Sequence, residues 1–254
     1  MEKIFIKEIK TDIRDDSVII TADIITRSGM EEKMYRIHFG DYSKLPFPCR
    51  EGDGSSDGGE TFEFPVGETA TTQAPLTYTG SRVEILTFLA RKFKIYNSAL
   101  SKVAAADITR KGLVRKLYEL YRLQSIDKSE LYSLCETVAD TFVNAGYIND
   151  HEYAKKYALY RKEGKRWGRR RISEYLYSKG VPSDIIREVL DSEAFDATNE
   201  DVLYHVNKKY DREDLADRNK YMKITAALNR LGFSFDEIKS ALADYEDDGF
   251  EDDL

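Results

Sequence analysis

Along residues 3 to 39 apolar and polar positions alternate, and beyond residue 81 the period changes. Ile4 and Ile6, and again Tyr35, Ile37 and Phe39, fall at every second position among β-branched and aromatic neighbours, with Asp15-Asp16 and Ser28-Gly29 as turn signals. A period of two is that of a half-buried strand, so two to four antiparallel strands are expected. From 46 to 77 the pattern dissolves into PFPCREGDGSSDGGETFEFPVGETATTQAPLT. This run reads as a flexible linker with at most a short strand at 61–64.

From Ser81 onward the only proline is Pro182, and apolar residues recur at spacings of three and four, the period of a helix packed on one face. Ser81 with Glu84, Asp127 with Glu130, Asn149 with Glu152, Thr198 with Asp201, and Ser234 with Glu237 each pair a capping side chain with an acid three residues on. Such pairs satisfy amides that the first helical turn leaves open. Gly180 and Gly232 stand where helices must stop in a left-handed conformation, and Pro182 follows as an allowed first-turn residue.

An internal repeat underlies these helices. Ile172, Leu176, Gly180, Asp184, Ile186 and Leu190 recur 52 residues later as Ile224, Leu228, Gly232, Asp236, Ile238 and Leu242. Each copy reads as helix, glycine-stopped turn, helix, and residues 201–210 are expected to supply the third helix of the first unit. A weaker copy runs from Leu113 and Leu117 through Leu131 and Leu134, without the glycine. Units of this kind bury their apolar faces against their neighbours, so a tandem helical array follows.

Charge is partitioned along the chain. The net −7 divides into about −6 for residues 1–80, +10 for 81–172 and −11 for 173–254. The middle segment therefore suits a nucleic acid or an acidic protein. Its densest part, 161–171, holds Arg161, Lys162, Lys165, Arg166, Arg169, Arg170 and Arg171 around the single tryptophan, Trp167, with one acid, Glu163. Guanidinium groups contact phosphate bidentately and an aromatic can stack on a base, a combination used for single strands. The plainer readings are a solvated loop and a tryptophan packed over its own bundle. Tyr153, Ala154, Tyr157 and Ala158 fall on one helical face and are expected in the core, with Tyr160 facing outward and Asn149 as a cap.

Little else points to chemistry. His38, His151 and His205 lie far apart, Cys49 and Cys135 form no framework, and neither GxxxxGK[ST] nor GxGxxG occurs. The glycine-rich stretch 52–59 lacks the ligand spacing of an EF-hand. No catalytic residue, metal or cofactor is expected. The first ten residues break their apolar positions with charges, and no run approaches the ~18 apolar residues of a membrane span, so a cytoplasmic location is expected, and separately a monomer. Residues 246–254 read as an acidic tail.

Gly146-Tyr-Ile-Asn-Asp-His-Glu-Tyr-Ala154, followed by Tyr157, Arg161, Gly168, Arg171-Ile172, Glu174, Leu176 and Lys179-Gly180-Val181, resembles the signature of the RecX family. In that signature a GYIDD..YA turn leads through a basic stretch to RI..EL..KGI, and Leu231-Gly232-Phe233-Ser234 with Ile238 resembles its closing element. Asn149 stands where the family has an acid, and Tyr175 displaces the leucine of the EL pair by one position. The resemblance implies three tandem three-helix repeats and a protein that binds the RecA nucleoprotein filament, restraining ATP hydrolysis, strand exchange and co-protease activity. It makes Arg161, Lys162, Lys165, Arg166, Trp167, Arg169, Arg170, Arg171 and Lys179 the expected contacts to filament or DNA. The chain is thus expected to be predominantly α, with tandem three-helix repeats in its C-terminal part. Its expected parts are a small N-terminal β-rich module (1–45), a linker (46–80), a helical array (81–245, with repeats at 107–163, 169–211 and 217–245) and the tail. The alternative is a double-stranded DNA-binding transcription regulator, since helix-glycine-helix units with basic residues also describe groove readers.

Overall fold

A computed structural model describes residues 3–45, 54–56, 60–63, 77–124, 126–192 and 195–247. The chain divides into two compact units: Met1–Asp107 with Leu113–Ile148, and Ile108–Gly112 with Asn149–Leu254.

In the first unit, β1 (Lys3–Asp12), β2 (Ser17–Thr26) and β3 (Gly29–His38) form an antiparallel meander, and β4 (Gly54–Ser56) extends it in the order β3-β2-β1-β4. The pairing sets Ile4 opposite Ile24 and Ile20 opposite Tyr35. Val18, Ile20, Ala22 and Ile24 are all buried, as the period of two requires for one face turned inward. β5 (Glu60–Glu63) and β6 (Thr77–Gly80) pair as a separate ribbon, close to the expected short strand. The rest of the expected linker lies mostly outside the described residues.

A one-turn helix, α1 (Phe39–Tyr42), leads out of β3, and the long α2 (Arg82–Ala105) packs against that strand. Asp41 of α1 receives Lys92 of α2 at 2.8 and 3.0 Å. The boundary expected at Ser81 is therefore not where the compact units divide: α2 closes the core of the sheet and belongs with it. α3 (Arg110–Tyr121) and α4 (Lys128–Asn144) follow, with Leu113, Leu117, Leu131 and Leu134 buried as the weak first copy requires. Tyr96 of α2 stacks on Phe142 of α4 at 5.0 Å.

The second unit holds two consecutive helical bundles. α5 (Asp150–Lys165), α6 (Arg169–Lys179) and α7 (Ser183–Leu190) enclose Ala154, Ala158, Ile172, Leu176, Ile186 and Leu190. α8 (Asn199–Asn207), the short α9 (Arg212–Ala216), α10 (Arg218–Arg230) and α11 (Phe235–Asp247) enclose Val202, Val206, Ile224, Leu228, Phe233 and Ile238. The expected grouping 169–211 is corrected by these cores. α8 packs on α11 and buries Val202 and Val206 with the later hairpin, so each repeat takes its extra helix from before the hairpin. The same logic moves α5 out of the expected 107–163 repeat.

Cap residues behave as their chemistry dictates. Ser81, Thr198 and Ser234 form reciprocal boxes with Glu84, Asp201 and Glu237. Asp127 and Asn149 accept two amides each. Gly180 and Gly232 end α6 and α10 at φ of +90° and +95°. Pro182 stands just before α7, at its N-cap.

Candidate nucleic-acid and filament interface

The basic run 161–171 spans the end of α5, its turn and the start of α6, and the structure splits it into two sets with different tasks. One set holds the following repeat. Lys162 donates to the Asp201 carboxylate and to the Asp196 carbonyl, both at 2.6 Å, and its side chain is only 11% exposed. Arg166 reaches the other oxygen of Asp201 at 3.4 Å. Arg169 pairs with Asp196 at 2.8 Å, and Arg170 bonds the carbonyl of Asn229 and, at 2.9 Å, its side-chain oxygen. Lys162 is therefore not presented to a partner, and the other three are partly engaged.

Asp201 is the centre of this set. Burial pushes its carboxyl up, but hydrogen bonds from Lys162 and Thr198 and the lysine charge outweigh burial and hold it below the usual carboxylate value. Arg166 ends α5 in the left-handed region, at φ 48°, a conformation unfavourable by about 1 kcal/mol for a residue with a Cβ. His205 fixes it there, donating from Nε2 to its carbonyl at 2.9 Å. The Gly168 amide next donates to the Leu231 carbonyl at 2.9 Å.

The second set forms a column of cations and rings. The Arg161 guanidinium lies 4.4 Å from the Tyr175 ring centre and 5.0 Å from that of Trp167. Arg171 lies 4.3 Å from Trp167, and Lys179 5.3 Å from Tyr175. Trp167 also packs on the core of its own repeat and meets Tyr175 edge-on at 6.1 Å. Nε of Arg161 is buried without a hydrogen-bond partner among the described residues. Lys165 is exposed on the last turn of α5. Sequence reasoning missed Tyr175 and the acceptors Asp196, Asp201 and Asn229. Of these only Asp201 carried a signal, its capping position after Thr198.

Tyr153 and Tyr157 stack at 4.3 Å over the repeat core, Ala154 and Ala158 are fully buried, and Tyr160 is 59% exposed. Among the described residues no group of three or more His, Cys, Asp or Glu could hold a metal ion, and no helix is long and apolar enough to cross a membrane. Cys135 is buried, which pushes its thiol up to about 12. Cys49 and the acidic tail from 248 onward lie outside the described residues.

The joint between the two bundles recurs. Lys179, 52 residues before Leu231, offers its carbonyl to Thr109 Oγ1 at 2.6 Å, and Gly180 packs on Lys111 as Gly232 packs on Arg171. Asp150, pushed up by burial, accepts the Arg110 amide at 2.8 Å. This is a protein of tandem three-helix units joined end to start through glycine turns, with cations gathered at one joint. Comparison gives the units a family: residues 149–190 match the RecX second three-helix domain. The chain is 31% identical to regulatory protein RecX of Clostridioides difficile strain 630 over 150 residues, 59% of this chain and 66% of that protein. It is 29% identical to regulatory protein RecX of Bacillus velezensis over 170 residues, 65% of this chain and 55% of that one. These matches thus span less than two thirds of the relatives' length. A crystal structure of regulatory protein RecX superposes with a TM-score of 0.60 over 93% of this chain and 99% of the other, at 16% identity, which shows the shared fold. In sequence the chain is thus similar to the RecX family, and it shares the fold of a RecX protein.

Proposed function

We propose that this chain regulates a RecA recombinase in the cytoplasm by binding the RecA nucleoprotein filament. It acts by contact rather than by bond chemistry, restraining ATP hydrolysis, strand exchange and co-protease function during DNA repair and the SOS response. The observation that carries this reading is the coincidence of two features in one segment: the residues matching the RecX second three-helix domain, 149–190, are those that bear the cation-rich turn. In and beside that turn, Arg161, Lys165, Arg171 and, at the end of α6, Lys179 are the contacts, with Arg169 and Arg170 at their edge. Any direct DNA binding is non-specific and falls steeply with salt, because phosphate contacts release counterions.

The test is RecA ATP hydrolysis on single-stranded DNA, titrated with the purified chain. A change in rate at stoichiometric or lower amounts is expected. An unchanged rate together with a footprint on one duplex sequence would replace this reading with that of a transcription regulator.

A further inference from the structure

We propose that the column of Arg161, Trp167, Arg171, Tyr175 and Lys179 is a phosphate reader for a nucleic-acid strand, blind to the bases, in which the rings serve only to hold the cations. This rests on the filament-binding reading and gives that surface a ligand class. A base can stack on tryptophan only where a ring face is open. Trp167 has its ring packed on the repeat core, two guanidinium groups within 5.0 Å of its centre, and Tyr175 edge-on. A base would therefore have to displace a guanidinium group from the partly buried ring in order to stack on it.

The same contacts orient the guanidinium groups. A guanidinium held against a ring keeps N–H groups at its rim for an anion, so its position is set before a ligand arrives. Arg171 spends one N–H on the Arg230 carbonyl at 3.3 Å, which fixes the plane further. In the internal repeat, the positions of Trp167, Arg171, Tyr175 and Lys179 become Asn219, Lys223, Ala227 and Leu231. The third repeat folds on the same plan without a column, so building a repeat does not require one.

The experiment is the affinity of the full chain for a single-stranded oligonucleotide and for an abasic oligonucleotide of equal length, with Trp167 emission recorded throughout. Affinities within about twofold of one another are expected, since each lost base stack would weaken binding about fivefold or more. Arg171→Gln should weaken both ligands alike and lower the salt slope by about 0.7, the value for one single-strand phosphate contact. Arg161→Lys, which keeps the charge and loses the planar fork, should also weaken both. Trp167→Ala, which removes the ring beneath the guanidinium groups, should weaken both ligands alike while circular dichroism shows the fold intact. A much weaker abasic ligand, or Trp167 quenching by the base-bearing strand alone, would overturn the proposal in favour of stacking. Failure to bind either strand, with RecA ATP hydrolysis still altered, would overturn it and leave the filament reading standing.

Discussion

Gly168 and Gly232 meet backbone to backbone: a Cβ on Gly168 would lie 2.4 Å from the Gly232 carbonyl carbon, and one on Gly232 would lie 2.4 Å from the Arg171 amide nitrogen. Neither neighbour is a side chain that can swing aside. Gly168→Ala and Gly232→Ala are each expected to destabilise the second unit by about 2–4 kcal/mol, the Gly232 change also straining a left-handed backbone. Gly164, on the last turn of α5, offers the contrast. A Cβ there would find only the Tyr160 ring at 4.0 Å, so Gly164→Ala should stabilise by about 0.5–1 kcal/mol. Urea unfolding followed by circular dichroism separates the cases, and equal losses at all three glycines would refute the close joint.

Asp201 makes the same joint sensitive to acid. Its folded carboxyl titrates below the unfolded value of about 3.9, so its contribution is complete above that pH and is lost as pH falls through the folded value. Asp201→Asn keeps a capping oxygen but leaves Lys162 buried without a counter-charge, a loss of roughly 3 kcal/mol at pH 7. Stability measured between pH 3 and 7 should therefore fall more gently on acidification in the variant than in the parent. Parallel pH profiles would show that Asp201 does not hold the repeats together.

How far the sequence discloses this depends on whether a residue acts locally. Caps at Ser81, Asn149 and Thr198, the glycine stops at 180 and 232, and the alternating face of β2 follow from neighbours a few positions away, and each was legible. The grouping of helices was not, because α8 could join the hairpin before it or after it, and only its packing on α11 decides. The same limit applies to the basic run. Density of charge marked 161–171 as a surface, yet Asp196, Asp201 and Asn229 lie about 30 to 60 positions away and take up Lys162, Arg169 and Arg170. Trp167 packs on its own bundle, the plainer of its two sequence readings.

That division changes what a triple substitution would do. Arg169, Arg170 and Arg171 read from sequence as exposed charges whose loss leaves the fold untouched, but all three bond groups that lie toward the third repeat. Changing them together to alanine should weaken filament binding and also lower the unfolding midpoint of the second unit, by an amount equivalent to about 1–2 kcal/mol. An unchanged midpoint in denaturant would show that these bonds add nothing to the joint.

Removing residues 1–78 tests where the chain divides. The linker pattern before Ser81 suggests a fragment that stays folded throughout, whereas in the structure the buried face of the sheet, with Ile20, Ile24 and Ile37 at 0–1% exposure, belongs to the same compact unit as α2. Deleting the sheet uncovers α2 along β3 and takes Asp41 from Lys92, so the helices of the first unit should lose cooperative packing. The two units carry separate reporters. Cys135 is fully buried in the first, and Trp167, the single tryptophan, lies in the second. In a Cys49→Ser background the full chain should resist thiol reagents, since burial holds the Cys135 thiol at about 12 and so leaves little thiolate. The fragment lacking residues 1–78 should label rapidly at Cys135 while Trp167 keeps its native emission, because the second unit retains both of its own cores. Full protection of Cys135 in that fragment would place the boundary back at Ser81.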